Sequence, residues 1–230
     1  MVSKKYWKSA IDEFLTLVKQ KETRSEVKIL RTKFQVLPGV FSPEYSSDTA
    51  WFAGKILPLT KGKTFLEIGS GTGVIACLVA LNNASSVVAT DINPKAIKNI
   101  RLNAQLHNQS ISIREGSTFD PIRHDELFDI IFWNHPFYYT DEKFDKNSML
   151  EKSVCDTNYE ALESYLKRGK KHLKRNGLLL LGTSNIARIN IIKSMSKKEG
   201  YKTSLLAKTE VPIYRGKKTK MDIRIYSFTP

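Results

Sequence analysis

Several residues able to bind a planar amino group follow an apolar run in the middle of the chain. Residues 127–133 read as a buried strand, and Asn134, His135, Pro136 and Phe137 come directly after it. The amide oxygen of Asn134 and the backbone carbonyl of His135 are acceptors that could hold both hydrogens of a flat NH₂ group. Phe137 offers a ring on which a base or an amide plane could stack. This segment therefore indicates a site for a planar amino group.

The nitrogen of such a group is a weak nucleophile because its lone pair is delocalised into the adjacent π system. Two acceptors that grip its hydrogens would localise the lone pair and aim it at an electrophile. The catalytic candidates are therefore Asn134, His135, Pro136 and Phe137, with Pro136 holding the preceding residue in an extended conformation. We expect the imidazole of His135 to have a structural or substrate-contacting role rather than to transfer protons.

The same segment has a purely structural interpretation. In that case Asn134 caps a turn and the aromatic residues pack in the core, and the sequence does not distinguish pocket wall from ordinary packing for Tyr138 and Tyr139. No strong general base is needed for the catalytic interpretation, since a cationic alkylated product sheds its proton readily. The choice between the two interpretations depends on whether other ligand-binding residues lie near this segment in the fold.

A glycine-rich turn ends the first strand of the predicted sheet. Its candidate ligand-binding residues are Glu67, Gly69, Ser70, Gly71 and Gly73. Glycines at this position let the backbone approach a ligand closely before a helix begins. A carboxylate just before them can attract an ammonium group, whereas a cofactor rich in phosphate would be repelled. A tight turn without a ligand is the alternative.

The next strand ends in an acidic residue. Asp91 lies eighteen positions after Gly73 and could accept hydrogen bonds from ribose hydroxyls, while Ile92 could cover an adenine. Asp91 could instead cap the helix that begins near Pro94. Position 74 is Val74, so the glycines do not follow the G-x-G-x-x-G spacing of dinucleotide sites. Ribose, adenine and an ammonium-bearing tail together fit S-adenosylmethionine.

Three stretches resemble the class I S-adenosylmethionine-dependent methyltransferases over residues 34–230: "FLEIGSGTG", "ATDINPKAIKNIRLNA" and "FDIIFWNHPF". The last is similar to the Asn-Pro-Pro-aromatic signature of enzymes that methylate planar amino nitrogens. Within that group, "LPGVFS" and "DTNYEALESYLKRGKKHLKRNGLLLL" most resemble ribosomal RNA guanine amino-methyltransferases, and "FSPEYSSDTAWFA" also resembles release-factor glutamine methyltransferases. The resemblance implies that Gly69, Gly71 and Gly73 lie under the methionine moiety and that Asp91 binds the ribose.

The sequence departs from this family pattern in two places. The third strand ends in Glu115-Gly116-Ser117-Thr118, where the family commonly has Gly-Asp. The adenine amino group could therefore be bound by Ser117, which has Thr118 beside it, or by a backbone group. A third alternative is that this contact is absent. His135 occupies the place of the first proline of the signature; it keeps the carbonyl and adds an imidazole.

The elements that must position these residues alternate between strands and helices from residue 64 onwards. Five strands, separated by helices except between the third and the fourth, are followed by two final strands; this predicts an α/β fold with a doubly wound, mostly parallel, seven-stranded, Rossmann-like sheet. Residues 1–33 are polar and have apolar residues at helical spacing, namely Ile11, Phe14, Leu15 and Val18. We therefore predict a basic, amphipathic N-terminal helical extension over residues 1–33 and a methyltransferase domain over residues 34–230.

Charge and composition limit the possible partners. The net charge of +14 favours association with a polyanion. Basic runs at 167–175 and 214–220 are often solvated faces, but together with the basic N-terminus they suggest one shared binding surface. Cys77 and Cys155 are too far apart in sequence to indicate a disulfide framework or a metal site, and no metal is expected. Neither a signal peptide nor a membrane span is apparent, so we expect a cytoplasmic protein.

Several functions remain open from the sequence alone. The first hypothesis is an enzyme that methylates a nucleobase amino group in RNA, and the second is a protein glutamine methyltransferase with a ribosome-associated substrate. A third is an inactive module that only binds nucleic acid, which would explain the departures at Ser117 and His135. Val74 argues against a nicotinamide-dependent dehydrogenase, and a small-molecule acceptor remains possible.

Overall fold

The structure is a computed structural model that describes residues 4–45, 47–140, 148–213 and 218–230. The helices are α1 Lys4–Lys19, α2 Asp48–Thr60, α3 Val74–Leu81, α4 Pro94–Leu106, α5 Met149–Lys152, α6 Glu160–Gly169 and α7 Ile189–Lys198. The strands are β1 Ser25–Ile29, β2 Thr32–Val36, β3 Thr64–Ile68, β4 Ser86–Asp91, β5 Ser112–Glu115, β6 Phe128–Asn134, β7 Tyr138–Thr140, β8 Cys155–Thr157, β9 Leu173–Ser184, β10 Lys202–Pro212 and β11 Lys220–Thr229.

Seven of these strands form one central sheet, in the order β10-β11-β9-β6-β3-β4-β5. The pairs from β9 to β5 are parallel, whereas β11 runs antiparallel to both β9 and β10. The predicted doubly wound, mostly parallel sheet is therefore confirmed. Because the carboxyl ends of β3, β4 and β6 meet at one edge, the motifs that follow these strands are brought together there.

Helices cover both faces of the sheet. On one face α2, α3, α4 and the hairpin β1–β2 bury a core that includes Phe34, Phe52 and Ile100. On the other face α6 and α7 bury a second core with Tyr165 and Ile192. Strands enclosed in this way are apolar on both sides, which is why they read in the sequence as continuous apolar runs. No helix within the described ranges has the length and apolar character needed to cross a membrane.

The N-terminal region differs from the prediction. The helix ends at Lys19, and residues 25–36 form the antiparallel hairpin β1–β2 instead of continuing it. The reason is a change of period, because the apolar residues of the hairpin alternate and point into the core. The hairpin crosses the expected boundary at residue 33, and the division of the chain there stays a prediction. The side chain of Phe14 lies outside the described residues.

Other differences concern the ends of elements. The sequence predicts that Pro58 ends α2, but Pro58 lies within the helix, two residues before its end at Thr60. Ser47 occupies the N-cap position of α2 without a side-chain capping bond. The sequence pattern predicts a single helix over residues 159–174, but α6 ends at Gly169 and a 3₁₀ turn over Lys170–His172 follows. The short ribbon of β7 and β8 and helix α5 were not predicted.

Candidate active site

A cavity of about 590 Å³ opens at the carboxyl ends of the central strands. The glycine turn, Asp91 and Ile92 line one part of it, and residues 134–137 line another. All of the residues predicted as site candidates from the sequence line the cavity except Gly73, whose neighbours Thr72 and Val74 do. The structure therefore brings the two predicted half-sites into one space.

The glycine turn has a left-handed backbone at each of its three glycines. Gly69 has φ +60°, and a Cβ built there would lie 2.9 Å from Nε1 of Trp133. Gly73 has φ +77°, and its Cβ would lie 3.0 Å from the side chain of Ile100. Gly71 has φ +55°, but a Cβ there would meet nothing within 4 Å. Gly69 and Gly73 are thus required by packing, whereas Gly71 faces open space in which a ligand could lie against the backbone.

Glu67 is buried beneath this turn. Its Oε2 accepts a hydrogen bond of 3.0 Å from the backbone N–H of Ala76, in the first turn of α3. Gly73, at the N-cap of that helix, has no side chain to do so. Burial raises the pKa of Glu67 to about 8. The carboxyl group is therefore both a helix cap and a site where an arriving cation would favour ionisation.

Asp91 holds the glycine turn in place from the neighbouring strand. Its Oδ2 accepts from the N–H of Gly71 and its Oδ1 from the N–H of Asn93, both at 2.8 Å. Each carboxylate oxygen has a second lone pair, so both can still accept a bond from a ligand. The next residue, Ile92, is 39% exposed and lines the cavity. An exposed isoleucine is a suitable surface for a planar apolar ring.

The segment that follows β5 forms another part of the cavity wall. Ser117 and Thr118 both line it, and the N–H of Gly116 donates to the carbonyl of Asp91 at 3.0 Å. Thr118 has a left-handed backbone with φ 44°, and its hydroxyl shares a hydrogen bond of 3.0 Å with Ser164 of α6. Ser117 therefore stands in the position where the family commonly has an aspartate.

Like Nδ1 of the His135 ring, the amide of Asn134 has a buried polar atom without a hydrogen-bond partner among the described residues. Its Oδ1 is buried and has no hydrogen-bond donor in the part of the chain that the structure describes. Its Nδ2 donates to Oδ2 of Asp48 at 3.4 Å. A buried acceptor without a partner costs about 1 to 3 kcal/mol and calls for an explanation. A ligand that donates a hydrogen bond would supply one.

Asp48 is a site residue that the sequence did not reveal. It is 3% exposed, begins α2, and lines the cavity beside Asn134. In the sequence it could be interpreted only as a possible helix cap, since the two residues are 86 positions apart. Gly182 on β9 is the other close neighbour, and a Cβ there would lie 3.2 Å from Oδ1 of Asn134.

His135 is buried in the wall behind this amide. It is 1% exposed, its Nε2 shares a hydrogen bond of 2.8 Å with the hydroxyl of Thr183, and its N–H donates to the carbonyl of Gly182 at 3.3 Å. Burial lowers its pKa to about 3, so the ring is neutral near pH 7. These contacts support the expectation that His135 does not transfer protons. Phe137 is half-buried and presents its ring to the cavity.

Helix α1 closes the cavity on the side away from the glycine turn. Its residues Ala10 and Ile11 line the space, as do Phe41 before α2 and Ile213 at the end of β10. The hydroxyl of Tyr6 shares a hydrogen bond of 2.7 Å with Thr219, and Lys19 pairs with Glu151 at 3.2 Å. The helix is therefore fastened on both sides of the cavity rather than lying elsewhere on the sheet.

Comparison with known proteins identifies the class of enzyme. The sequence over residues 31–198, most of the chain, matches the methyltransferase small domain family. The chain belongs to this family. Its predicted resemblance to S-adenosylmethionine-dependent methyltransferases that act on amino nitrogens is confirmed, and so are the enzyme class, N-methyl transfer, and the cofactor, S-adenosylmethionine.

Two relatives and one solved structure indicate the range of the family. A Methanocaldococcus jannaschii protein, provisionally named a protein N5-glutamine methyltransferase, is 30% identical over 188 residues, which cover 81% of this chain and 93% of the relative. The ribosomal RNA small subunit methyltransferase C of Psychromonas ingrahamii is 29% identical, over 66% of this chain and 40% of its own. The chain thus spans nearly all of the Methanocaldococcus jannaschii relative but less than half of the Psychromonas ingrahamii enzyme.

The fold agrees with that of a 16S rRNA N2 methyltransferase from T. thermophilus, solved in complex with AdoMet and guanosine. The TM-score is 0.64 at 14% identity, and the match covers 88% of this chain and 49% of the other. At this identity the likeness concerns the fold.

Proposed function

We propose that this methyltransferase modifies the exocyclic amino group of a base in RNA, and that Asn134 grips that amino group. The observation that carries the proposal is the buried Oδ1 of Asn134, which has no donor among the described residues although it lines the cavity. An NH₂ group on the substrate would satisfy it. Oδ1 of Asn134 is an acceptor and therefore fits an amino donor, whereas the role of the unpartnered Nδ1 of His135 depends on the tautomer of its ring.

The residues around the glycine turn fit the cofactor. The open space over Gly71 would take the methionine moiety, with the Glu67 carboxyl near its ammonium group. Asp91 has lone pairs left for the ribose hydroxyls, and Ile92 would cover the adenine. Ser117 and Thr118 would lie at the adenine edge. When bound, S-adenosylmethionine supplies an electrophilic methyl group on sulfur.

The opposite wall would prepare the acceptor nitrogen. Oδ1 of Asn134 and the backbone carbonyl of His135 would each accept one hydrogen of the NH₂ group, which localises the lone pair as positive charge develops. Pro136 stiffens this segment. Phe137 would stack on the base, at about 1 to 3 kcal/mol per stacked base. The cationic amine then loses its proton to water, which requires no basic side chain.

Asp48 would act as a positioning residue for Asn134. An asparagine amide can be placed in two orientations that differ by a flip, and the hydrogen-bond network selects between them. A carboxylate can only accept, so Asp48 selects the orientation in which Nδ2 faces it and Oδ1 faces the substrate. An acidic neighbour also draws on the amide N–H and makes the amide oxygen a stronger acceptor.

RNA is favoured as the acceptor because the net charge is +14, which promotes association with a polyanion. Protein glutamine is a second candidate, and the charge of the cavity favours it. Among the described residues the cavity is lined by five acidic side chains and one lysine, Lys152. A neutral carboxamide enters such a space more easily than a phosphate, so an RNA substrate would have to keep its backbone outside. Both acceptors occur in the cytoplasm, where we expect the enzyme.

Tritiated S-adenosylmethionine incubated with the enzyme and cell extract would separate the two candidates. Label that is lost on ribonuclease treatment and survives protease supports RNA. The opposite pattern supports a protein acceptor and contradicts the RNA proposal. Asn134→Ala serves as the control, since label that still appears with this variant comes from another enzyme. Label in small molecules alone would contradict both candidates.

A further inference from the structure

The net positive charge of this chain is concentrated in its last third. Between Ser164 and Ala207 the sequence has eleven lysines and arginines and a single acidic residue, Glu199. This segment therefore carries most of the net charge of +14. It begins in α6 and ends in β10, so its residues belong to four successive elements.

The fold gathers these elements at one edge of the sheet. Nζ of Lys170 donates to the carbonyl of Glu199 at 2.6 Å and lies 5.7 Å from the ring centre of Tyr201. The hydroxyl of Tyr201 donates in turn to the carbonyl of Leu166 at 2.9 Å. The carboxyl ends of α6 and α7 and the first residues of β10 are thus fastened together. Their lysines share one surface, which we call the far-edge patch.

The lysines of the far-edge patch are exposed and have no carboxylate partner in the ranges that the structure describes. They are Lys167, Lys171, Lys197, Lys198 and Lys202. Lys193 is left out, because its Nζ lies 5.8 Å from the ring centre of Tyr226, which is level with Trp133 near the carboxyl end of β6. Neighbouring cations that are paired are left out of the patch, as Arg168 pairs with Asp120 and Lys174 pairs with Asp129. The patch is therefore uncompensated positive charge.

Helix stabilisation explains only part of this charge. Lys167 lies in the last turn of α6, and Lys197 and Lys198 lie in the last turn of α7, where cations stabilise the helix dipole by about 0.3 to 1 kcal/mol each. The other two lysines, Lys171 and Lys202, lie outside the last turns of α6 and α7. Like charges held together repel, and an anionic partner would relieve that repulsion.

The far-edge patch lies opposite the cavity. Lys174 reaches Asp129 near the start of β6, while Asn134 ends the same strand. Five residues of extended chain separate these positions, which is about 17 Å. The sequence suggested that run 167–175 shares a surface with the N-terminus. Instead, α1 lies at the cavity edge, so these two regions are separate; residues 214–217 of the other basic run lie outside the described residues.

We propose that the far-edge patch binds the phosphate backbone of RNA, as a second contact in addition to the cavity. Lysine is a point charge suited to phosphate contacts without base readout, and its binding releases counterions. This arrangement lets the acid-lined cavity admit only the target base while the backbone is held elsewhere. The identity of the RNA as acceptor rests on the proposed function, but binding by the patch can be measured on its own.

The test compares two triple variants that each remove three positive charges. The patch variant is Lys171→Ala, Lys197→Ala and Lys202→Ala, and the control is Lys55→Ala, Lys98→Ala and Arg101→Ala, on α2 and α4 of the opposite face. Fluorescence anisotropy measures binding of labelled single-stranded RNA of mixed sequence across salt concentrations. In the patch variant we expect the slope of log K against log salt to become less steep by about 2, at about 0.7 per phosphate contact. In the control variant the slope should stay nearly unchanged.

If the steepness of this slope fell equally in both variants, or in neither, the proposal would be overturned. The affinity for S-adenosylmethionine, measured by calorimetry, should be the same in all three proteins, since the cavity is on the other edge. If the triple patch variant unfolds, the three single variants replace it, each with an expected slope change of about 0.7. Transfer of label to protein alone, with patch-dependent RNA binding intact, would refute the RNA acceptor but not the patch.

Discussion

At the scale of single residues, the orientation of one amide decides what the site can do. Asn134 offers its oxygen to the cavity only while its nitrogen has an acceptor elsewhere, and Asp48 is that acceptor. The two residues come from β6 and from the first turn of α2. One hydrogen bond thus connects the carboxyl end of β6 to the first turn of α2.

Replacing Asp48 tests this link. We expect Asp48→Ala to lower kcat about tenfold, the effect of losing a hydrogen bond of about 1.5 kcal/mol, with no change in the Kd of S-adenosylmethionine. Asp48→Asn keeps one acceptor oxygen and should restore part of the rate. A rate for Asp48→Ala equal to wild type, or an Asn variant as slow as the Ala variant, would refute the positioning role.

His135 is a structural residue according to its contacts, so its removal should affect stability more than rate. His135→Ala keeps the backbone carbonyl and deletes the bond to Thr183 and the packing of the ring. We expect kcat to change less than fivefold, whereas unfolding should require about 2 to 4 kcal/mol less. Steady-state kinetics and urea unfolding check the two quantities. A hundredfold loss of kcat in a folded variant would instead indicate proton transfer by the imidazole.

The buried imidazole should also make stability depend on pH. Burial lowers the pKa of His135 from 6.5 to about 3 in the folded protein. Below pH 6.5 the unfolded chain therefore binds a proton that the folded protein does not bind, and stability falls as the pH falls towards 3. Between pH 6.5 and 5 the loss from this group is about 2 kcal/mol. His135→Gln does not titrate, so its unfolding free energy should fall less over that range; parallel curves would contradict the assignment.

At the scale of elements, the glycines of the glycine turn have different roles, one in packing and another in ligand binding. Gly69→Ala forces a methyl group against Trp133, whereas Gly71→Ala points one into open space, and both have a left-handed backbone. We expect Gly69→Ala to lower the melting temperature more than Gly71→Ala does. Gly71→Ala should mainly weaken the affinity for S-adenosylmethionine. Thermal unfolding and calorimetry check this contrast, and an unchanged affinity in Gly71→Ala would contradict cofactor binding at the turn.

The elements also explain which parts of the site could be predicted from the sequence. In a parallel sheet the carboxyl ends of neighbouring strands meet, so residues such as Gly71, Asp91 and Asn134 converge once their strands are identified. Each is recognised from its local sequence. The carboxylate of Asp48 and the wall formed by α1 were not predicted, because both depend on contacts between residues far apart in the chain. The hairpin β1–β2 was missed because its period of two was taken for part of a helix.

At the scale of the whole molecule, charge is distributed unevenly between two edges of the sheet. The cavity has acidic residues in its wall, while the far-edge patch has five lysines without a carboxylate partner among the described residues. An extended polyanion would be attracted to the patch and kept out of the cavity. The neutral head of a base, or a carboxamide, could enter where a phosphate could not. Substrate selection and substrate retention would then be performed at different places.

The most direct test of the whole account is the Asn134→Ala variant. We predict that its kcat falls by about 10² to 10³ while the Kd of S-adenosylmethionine is unchanged, because the lost acceptor acts on the substrate nitrogen in the transition state. Asp91→Ala should do the reverse and mainly weaken cofactor binding, since Asp91 holds the glycine turn through the N–H of Gly71. An Asn134→Ala enzyme with a wild-type kcat, or one that loses cofactor affinity as strongly as Asp91→Ala, would contradict the central claim.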